Sequence, residues 1–566
     1  MKDDWVIHTQ VVSADSLLLT WQRPSDSRPQ MDDRLPALIQ NFLNRLQDDC
    51  APGTFVNLVA AYATLWVQYR PAVTSAQALI KTIESLSQTA VSQNTTATKE
   101  HLIEIPVCYD PAFGWDLEAL ANTKHTSVEA LVAQHTAQTY RVHAVGFSPG
   151  FAYLGQLPES LAVLRHPAPR ADVPAGSVAL ADRQTAIYPI NTPAGWQIIG
   201  RTPLDLSLND PSNLDRFQVG DRVRFRPISR ETYDQWPREC KDAPLNDEAT
   251  VTTNRIGLTV QRNAFGASIQ DEGRLGWQSK GLAPSGAMDK GAFYAANRLL
   301  AQPLHYAALE IPMGGCELKA ETTLYAVVTG ADLDFRINDV PHPRYQPFVV
   351  QPGDRLSWTH PRQGLFAYLG VWGGWQTPKW FDSRSVTLRE QIGQALKTGD
   401  ALAIAPQDPG PITTQELPPG CMMQNTTSPL VLRFIPGFQW RDFDHAARQA
   451  FLNQAFQVSS QSGRVATRLQ AHLPIEVPYH KMLSEPMADG SIQIPPSGEP
   501  IAMQADRPTI GGYPKVGALL PQDLYRLAQA QPGSMVRFQS ITPIAAALKH
   551  QNWQQFWASV PEPPSK

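Results

Sequence analysis

The sequence predicts a mainly β protein, α+β overall, in which a small N-terminal α+β unit precedes two related β-barrels. Three observations carry that expectation. Forty-nine prolines are spread along the 566 residues, a density that interrupts helices and favours short strands joined by turns. An internal repeat is the second. Gly176-Ser177-Val178, Ala181-Asp182-Arg183-Gln184-Thr185, Tyr188-Pro189 and Gly220-Asp221-Arg222-Val223-Arg224-Phe225 return in the same order. Their counterparts are Gly490-Ser491-Ile492, Ala505-Asp506-Arg507-Pro508-Thr509, Tyr513-Pro514 and Gly533-Ser534-Met535-Val536-Arg537-Phe538. Ordered matches over similar spans indicate duplication, at a period far too long for a solenoid. Third, the length allows several domains at about 100–200 residues each.

In chain order, Ser16 to Trp21 reads as a strand. Leu35, Leu38, Ile39, Phe42, Leu43 and Leu46 form a helical stripe that Asp32 or Asp33 is placed to cap. From Ile103 the pattern is strand-like except at Thr126-Ser127-Val128-Glu129, a capping box from which Val128, Leu131 and Val132 continue a helical face. His135 lies on that face and reads as a packed histidine, with no partner at metal-ligand spacing. Ser229 to Ala249 and Pro406 to Pro429 are polar linkers. Ile544 to Val560 forms an amphipathic helix before a Pro-rich end. The resulting units are 1–100, 101–228, a linker 229–250, 251–405, a linker 406–429, 430–543 and a tail 544–566.

Composition excludes several classes. Lys and Arg number 48 against 52 Asp and Glu, a net charge of −4, so no nucleic-acid partner is expected. The most apolar stretch, Phe55 to Tyr69, is interrupted by Asn57 and Gln68 and is too short to span a membrane. Met1-Lys2-Asp3-Asp4-Trp5 opens no secretory signal, and Cys50, Cys108, Cys240, Cys316 and Cys421 form no CxxC pair. A cytoplasmic protein with free thiols and no metal site is expected.

Familiar catalytic motifs fail on inspection. Gly146-Phe147-Ser148-Pro149-Gly150 has the G-x-S-x-G form, but Pro149 lacks the N–H that a nucleophile elbow requires after the serine. There is no phosphate-binding loop and no dinucleotide fingerprint. His480-Lys481-Met482 has Met on only one side of the lysine, so no biotin attachment site is expected. What remains are polar groups among glycines: Gln270-Asp271-Glu272-Gly273-Arg274, Ser285-Gly286-Ala287-Met288-Asp289, Asn297-Arg298 and Glu310. Asp289, Glu310 or Asp271 would serve as a carboxylate base and Arg274 as an anion clamp. The plainer alternative is turn and cap residues with internal ion pairs. Arg170 and Arg201 sit beside rigid turns and suit a carboxylate or phosphate, or else a loop-fixing salt bridge. Phe147, Phe151, Tyr153 and Trp196 would wall a cleft, or pack a core.

Longer segments resemble a known family. Gly146 to Gly155 (GFSPGFAYLG), Pro169 to Val178 (PRADVPAGSV) and Gly195 to Thr202 (GWQIIGRT) resemble the KipI-type protein, the B-type component of prokaryotic 5-oxoprolinase. Gln270 to Arg274, Ser285 to Asp289, Leu309-Glu310, Ser383-Arg384-Ser385 and Gln493 to Tyr513 (QIPPSGEPIAMQADRPTIGGY) resemble the KipA-type protein, its C-type component. The resemblance implies a B–C fusion with cyclophilin-like barrels at 101–228 and 430–543, and a carboxyltransferase-type domain whose halves are 251–405 and 430–543. It further implies ATP-dependent opening of 5-oxo-L-proline to L-glutamate with a separate A-type subunit. Arg464, Arg468, Thr509 and Tyr513 join Arg170, Arg201, Arg274 and Asn297 as substrate- or phosphate-binding candidates. Two alternatives stand beside it: a carboxyltransferase component of a biotin-dependent urea or amide carboxylase, and a KipI/KipA-type regulator of a histidine kinase. Two departures are visible. The family's Arg-Met-Gly-x-Arg-Leu is Arg464-Val465-Ala466-Thr467-Arg468-Leu469, and its Gly-Pro-Gln is Gly437-Phe438-Gln439. A lost glycine at Ala466 is expected to alter a turn or a close backbone approach.

Overall fold

The computed structural model describes residues 5–90, 101–237, 255–263, 265–405, 417, 428–479 and 482–559. Strands Val6–Ser13, Ser16–Gln22, Thr64–Tyr69 and Phe55–Ala61 lie side by side as an antiparallel sheet. The consecutive leucines Leu17, Leu18 and Leu19 have a physical cause, because both faces of this sheet are covered. Leu17, Leu19, Leu65 and Val67 pack under helices Leu35–Asp48 and Ala76–Ala90. Val12, Leu18, Val59 and Trp66 pack instead against Phe438 and Ala488 from the far end of the chain. Helix Leu35–Asp48 starts at Arg34 with Pro36 in its first turn and no side-chain cap. Asp32 stands just before it and accepts the Arg34 amide at 2.9 Å. Asp33 faces His143 at 3.1 Å.

The sheet continues through an Ala61–Ala144 pairing into the first barrel. Around that barrel the strands run 140–145, 222–228, 102–108, 197–201, 177–181, 184–187 and 152–155, and the last closes on the first. The second barrel runs 456–458, 535–540, 430–436, 515–519, 491–493, 501–503 and 466–471, and also closes. Position by position the two orders are the same. Each has one parallel pair at the same place, 222–228 with 102–108 and 535–540 with 430–436. The duplication read from the sequence therefore has a topological counterpart.

Only the outer two of its four matches fall on corresponding strands. Gly176-Ser177 and Gly490-Ser491 open equivalent strands, and Gly220 and Gly533 precede another such pair. Asp182-Arg183, however, is a hairpin between strands 177–181 and 184–187, whereas Asp506-Arg507 follows strand 501–503. Tyr188-Pro189 leaves a strand, and Tyr513-Pro514 enters one. Turns draw on few residue types, so short turn peptides recur at unrelated places.

Residues 255–405 form a six-stranded and a five-stranded sheet over a shared core that includes Val260, Leu309, Leu318, Val328, Leu369 and Trp375. In the first barrel the predicted second helix is Val128–Ala137. Its cap is Ser127, one residue later than the box places it, accepting the Ala130 amide at 3.1 Å. His135 is packed, bonded to the Tyr109 hydroxyl at 2.8 Å and the Thr185 hydroxyl at 3.1 Å. The stretch read as a linker from 229 begins with a short helix, Arg230–Asp234, whose Tyr233 ring lies 4.4 Å from Phe113. Its continuation over 238–250, the linker 406–429 apart from 417, 428 and 429, Cys240, Cys421, His480-Lys481 and the last residues from 560 lie outside the described residues. The tail helix is Pro543–Ala558, capped by Thr542. Among the described residues no helix is long and apolar enough to cross a membrane, and no group of three or more His, Cys, Asp or Glu is placed to hold a metal ion.

Candidate functional site

Arg464, just before strand Ala466–Ala471 of the second barrel, reaches out of that barrel into the loops of residues 270–310. Its guanidinium meets Glu310 at 2.5 Å and Asp506 at 2.8 and 2.9 Å, and donates to the Gly286 carbonyl at 2.8 Å. The Ser285 hydroxyl donates to Asp506 at 2.7 Å. Glu310, 1% exposed, uses its other oxygen to accept the Met288 amide at 2.9 Å and the Tyr368 hydroxyl at 2.8 Å. The Tyr368 oxygen in turn accepts the Asp289 amide at 2.8 Å. Burial opposes the charge on Arg464, but Asp506 and Glu310 outweigh it and hold its pKa above the usual guanidinium value. Together these contacts fix the backbone of 285–289.

Asp289 caps helix Lys290–Leu299, accepting the Ala292 amide at 3.0 Å and the Gln529 side-chain amide at 3.0 Å. Burial raises its pKa, against the Gln529 bond. Asp271 is spent on a tight turn, accepting the Ser383 and Ser385 hydroxyls at 2.6 Å and the Arg384 amide at 2.6 Å. Arg274, 1% exposed, donates to the Ser385 and Trp380 carbonyls and to Thr387, and burial pulls its pKa down. Nearby, burial pushes the Glu390 carboxyl up to about 7, while the Ala283 amide donates to it at 2.9 Å. Asn297 holds the Leu304 and Tyr306 carbonyls at 2.8 Å each.

Other candidates lie apart from this network. Arg468 projects from strand Ala466–Ala471 and is exposed. Arg170 makes a two-pronged pair with Asp116 at 2.6 and 2.8 Å, and Asp116 also accepts the Ile198 amide at 2.7 Å. Arg201 stacks 4.8 Å over Phe113. Phe151 packs edge to face with Phe147, Tyr153 and Trp196 and lies tilted against Tyr188, and Phe151 and Trp196 are 2% and 5% exposed. Thr509 is buried where a Cβ at Gly146 would lie 2.6 Å from its hydroxyl and 2.5 Å from Ile510. Tyr513 is 43% exposed.

The two departures have different outcomes. Ala466 is a regular strand residue paired with Met503, so no glycine is required and the expected altered turn is not found. Phe438 has a φ of 53°, which proline cannot adopt. Its ring packs on Val12 and Trp66 of the N-terminal sheet, and the Lys515 ammonium sits 5.0 Å above it.

The two parts of the chain are tied closely. Arg389 donates to the Phe147 carbonyl at 2.6 Å, and the Gln278 amide donates to Asn57 at 3.3 Å. Lys280 pairs with Asp215 at 2.6 Å. Along this seam lies a small open cleft that Ser285 also lines. Gln68, Lys290, Asp489, Gln504, Arg507 and Tyr525 line it. Of these, only Arg507 and Asp489 are ion-paired among the described residues, with each other. Sequence reasoning missed them as site residues, although Lys290 directly follows Asp289 and Arg507 belongs to a repeated tripeptide. The carboxylates it chose are committed to backbone and side-chain partners, whereas Lys290, one residue after Asp289, makes no ion pair among the described residues.

Residues 280–540 match the family described as carboxyltransferase domain, subdomain A and B, and residues 7–213 match carboxyltransferase domain, subdomain C and D. The chain is 34% identical over 294 residues to the C-type component of 5-oxoprolinase from Haemophilus influenzae, covering 50% of this chain and 92% of that one. It is 32% identical over 218 residues to the B-type component of 5-oxoprolinase from Bacillus subtilis, covering 37% and 90% respectively. It is 25% identical over 296 residues to urea amidolyase of Saccharomyces cerevisiae, covering 48% of this chain and 16% of that protein. The crystal structure of TTHA0988 superposes with a TM-score of 0.79 at 29% identity, over 93% of this chain and 99% of that one. The fold and seam thus define a two-part carboxyltransferase-type protein. The chain belongs to the family of B-type and C-type 5-oxoprolinase components and carries both types in one polypeptide.

Proposed function

We propose that the chain is the fused B and C component of an ATP-dependent 5-oxoprolinase, opening 5-oxo-L-proline to L-glutamate together with a separate A-type subunit. One observation supports this above the others: a single chain spans 90% or more of both a B-type and a C-type component. An unstrained lactam is resonance-stabilised and resists water. ATP would supply the phosphoryl group that turns the amide into a reactive imidate, so that water adds at the former carbonyl carbon and the ring C–N bond breaks with nitrogen leaving as the amine. The protein's task is to hold the lactam in a water-poor site and stabilise developing charge. In this reading Arg464, Glu310 and Tyr368 act as positioning residues that fix the 285–289 backbone beside the cleft, and Asp289 orients the helix that carries Lys290.

The test is ADP and glutamate release from 5-oxo-L-proline by the purified chain, alone and with an A-type subunit. Release of both products only in the mixture is expected. ADP release by the chain alone would put the nucleotide site here, and no turnover with an active partner would overturn the reading. The match to urea amidolyase favours a second reading, carboxyl transfer to a urea-like amide from a separate biotin carrier. Dependence of turnover on bicarbonate and biotin would select it.

A further inference from the structure

We infer that the seam cleft is the subsite for the substrate's carboxylate, with Lys290 as the cation that meets it and with Asp489, held by Arg507, and Gln504 as the acceptors that meet the amide. The ligand class is a small, singly charged carboxylate bearing an amide N–H. The inference deepens the oxoprolinase reading and rests on it for the identity of that ligand.

The argument starts from charge. Arg507 is 2% exposed and is oriented by the Gln278 oxygen at 3.2 Å, the Met487 carbonyl at 3.4 Å and the Asp489 carboxylate. Arg464, behind Ser285, is balanced by Glu310 and Asp506. Lys290 has no ion pair among the described residues, yet it lines the same cleft half-buried. Lys290 is therefore the lining cation that makes no ion pair among the described residues, and an anion reaching it gains an ion pair without displacing one. A partly desolvated charge-assisted bond of this kind is among the stronger recognition contacts.

The acceptors lining the same cleft set the class of anion. Asp489 is 43% exposed at its side chain. The Gln504 amide nitrogen is taken by Thr467 at 2.9 Å, leaving its oxygen as an acceptor. A phosphate dianion would face Asp489 with like charge, whereas an amide N–H complements both oxygens. The Tyr525 hydroxyl makes no hydrogen bond among the described residues and remains a donor, because burial raises its pKa well above the ordinary phenol value. Gln68 of the N-terminal sheet closes one side, so the subsite needs both parts of the chain.

Calorimetric titration of the full chain with 5-oxo-L-proline, 2-pyrrolidinone (the same lactam without the carboxylate) and inorganic phosphate tests this directly. Lys290→Gln is expected to weaken 5-oxo-L-proline at least about tenfold. Lys290→Arg should recover most of the loss, and 2-pyrrolidinone should not distinguish wild type from variant. In turnover with the A-type subunit the same loss should fall mainly on KM. Equal affinity and equal KM in wild type and Lys290→Gln would overturn the subsite while leaving the proposed function intact. Lys290-dependent phosphate binding with 5-oxo-L-proline unaffected would also overturn it. If wild type shows no turnover with an active partner, the function fails, and the titration still decides the cleft. Lys290-dependent carboxylate binding then supports it, and its absence overturns it.

Discussion

The two barrels share a strand order but use their arginines in opposite ways. In the first, Arg170 is a half-exposed clamp on Asp116 that fixes one loop to its own barrel. In the second, Arg464 leaves its barrel and joins Glu310, a residue 154 positions away, to Asp506 in a buried network. Duplication preserved the strands, and the loops diverged in what they hold together. The first barrel is braced internally; the second braces the wall of the cleft.

The largest expected contrast is in stability. Glu310→Ala leaves Arg464 short of one buried counter-charge and should cost about 3 kcal/mol or more in denaturant unfolding. Asp116→Ala, at a half-exposed partner, should cost about 1 kcal/mol beyond its lost amide bond. Equal losses would erase the distinction between the two networks.

Buried titrating groups sharpen it with opposite signs. His135, inside the first barrel, has its pKa lowered by burial to about 3. The unfolded state then binds more protons between that value and the ordinary 6.5. His135 should contribute stability above pH 6.5 that is lost on acidification, at up to about 1.4 kcal/mol per pH unit. Glu390, beside the cleft network, is raised by burial to about 7 from 4.5. Its favourable contribution is complete below pH 4.5 and is lost as pH rises through 7. Glu390→Gln should therefore be more stable than wild type at pH 8, by about 1–3 kcal/mol, with the gap shrinking towards pH 4.5. A gap that does not change with pH would contradict the assignment. The smallest effect is reserved for Arg468, exposed on the barrel wall. Arg468→Gln should change stability by no more than about 0.5 kcal/mol.

Much of this was legible in residues. The helical stripe from Leu35, the packed His135 and the outer matches of the repeat each follow from periodicity or turn chemistry. The two inner matches misled, because Asp-Arg and Tyr-Pro serve turns wherever they fall. Asp289, Glu310, Asp271 and Arg274 were visible as polar groups among glycines. Their partners were not, since Tyr368, Gln529 and Ser383 are joined to them only by the fold. Lys290 was hidden for a plainer reason: a lysine beginning a helix looks like any solvated charge until the second barrel is folded over it. The role of Phe438 was equally out of reach, because it depends on a distant N-terminal sheet that includes Val12 and Trp66.

The most direct test of the account is turnover in the reconstituted complex, comparing Glu310→Gln with Asp116→Asn at a temperature where both are folded. If the network of the second part positions the reaction, Glu310→Gln should lower kcat for glutamate formation by about 100-fold, while Asp116→Asn stays within about threefold of wild type. Full activity in Glu310→Gln, or an equal loss in Asp116→Asn, would contradict it.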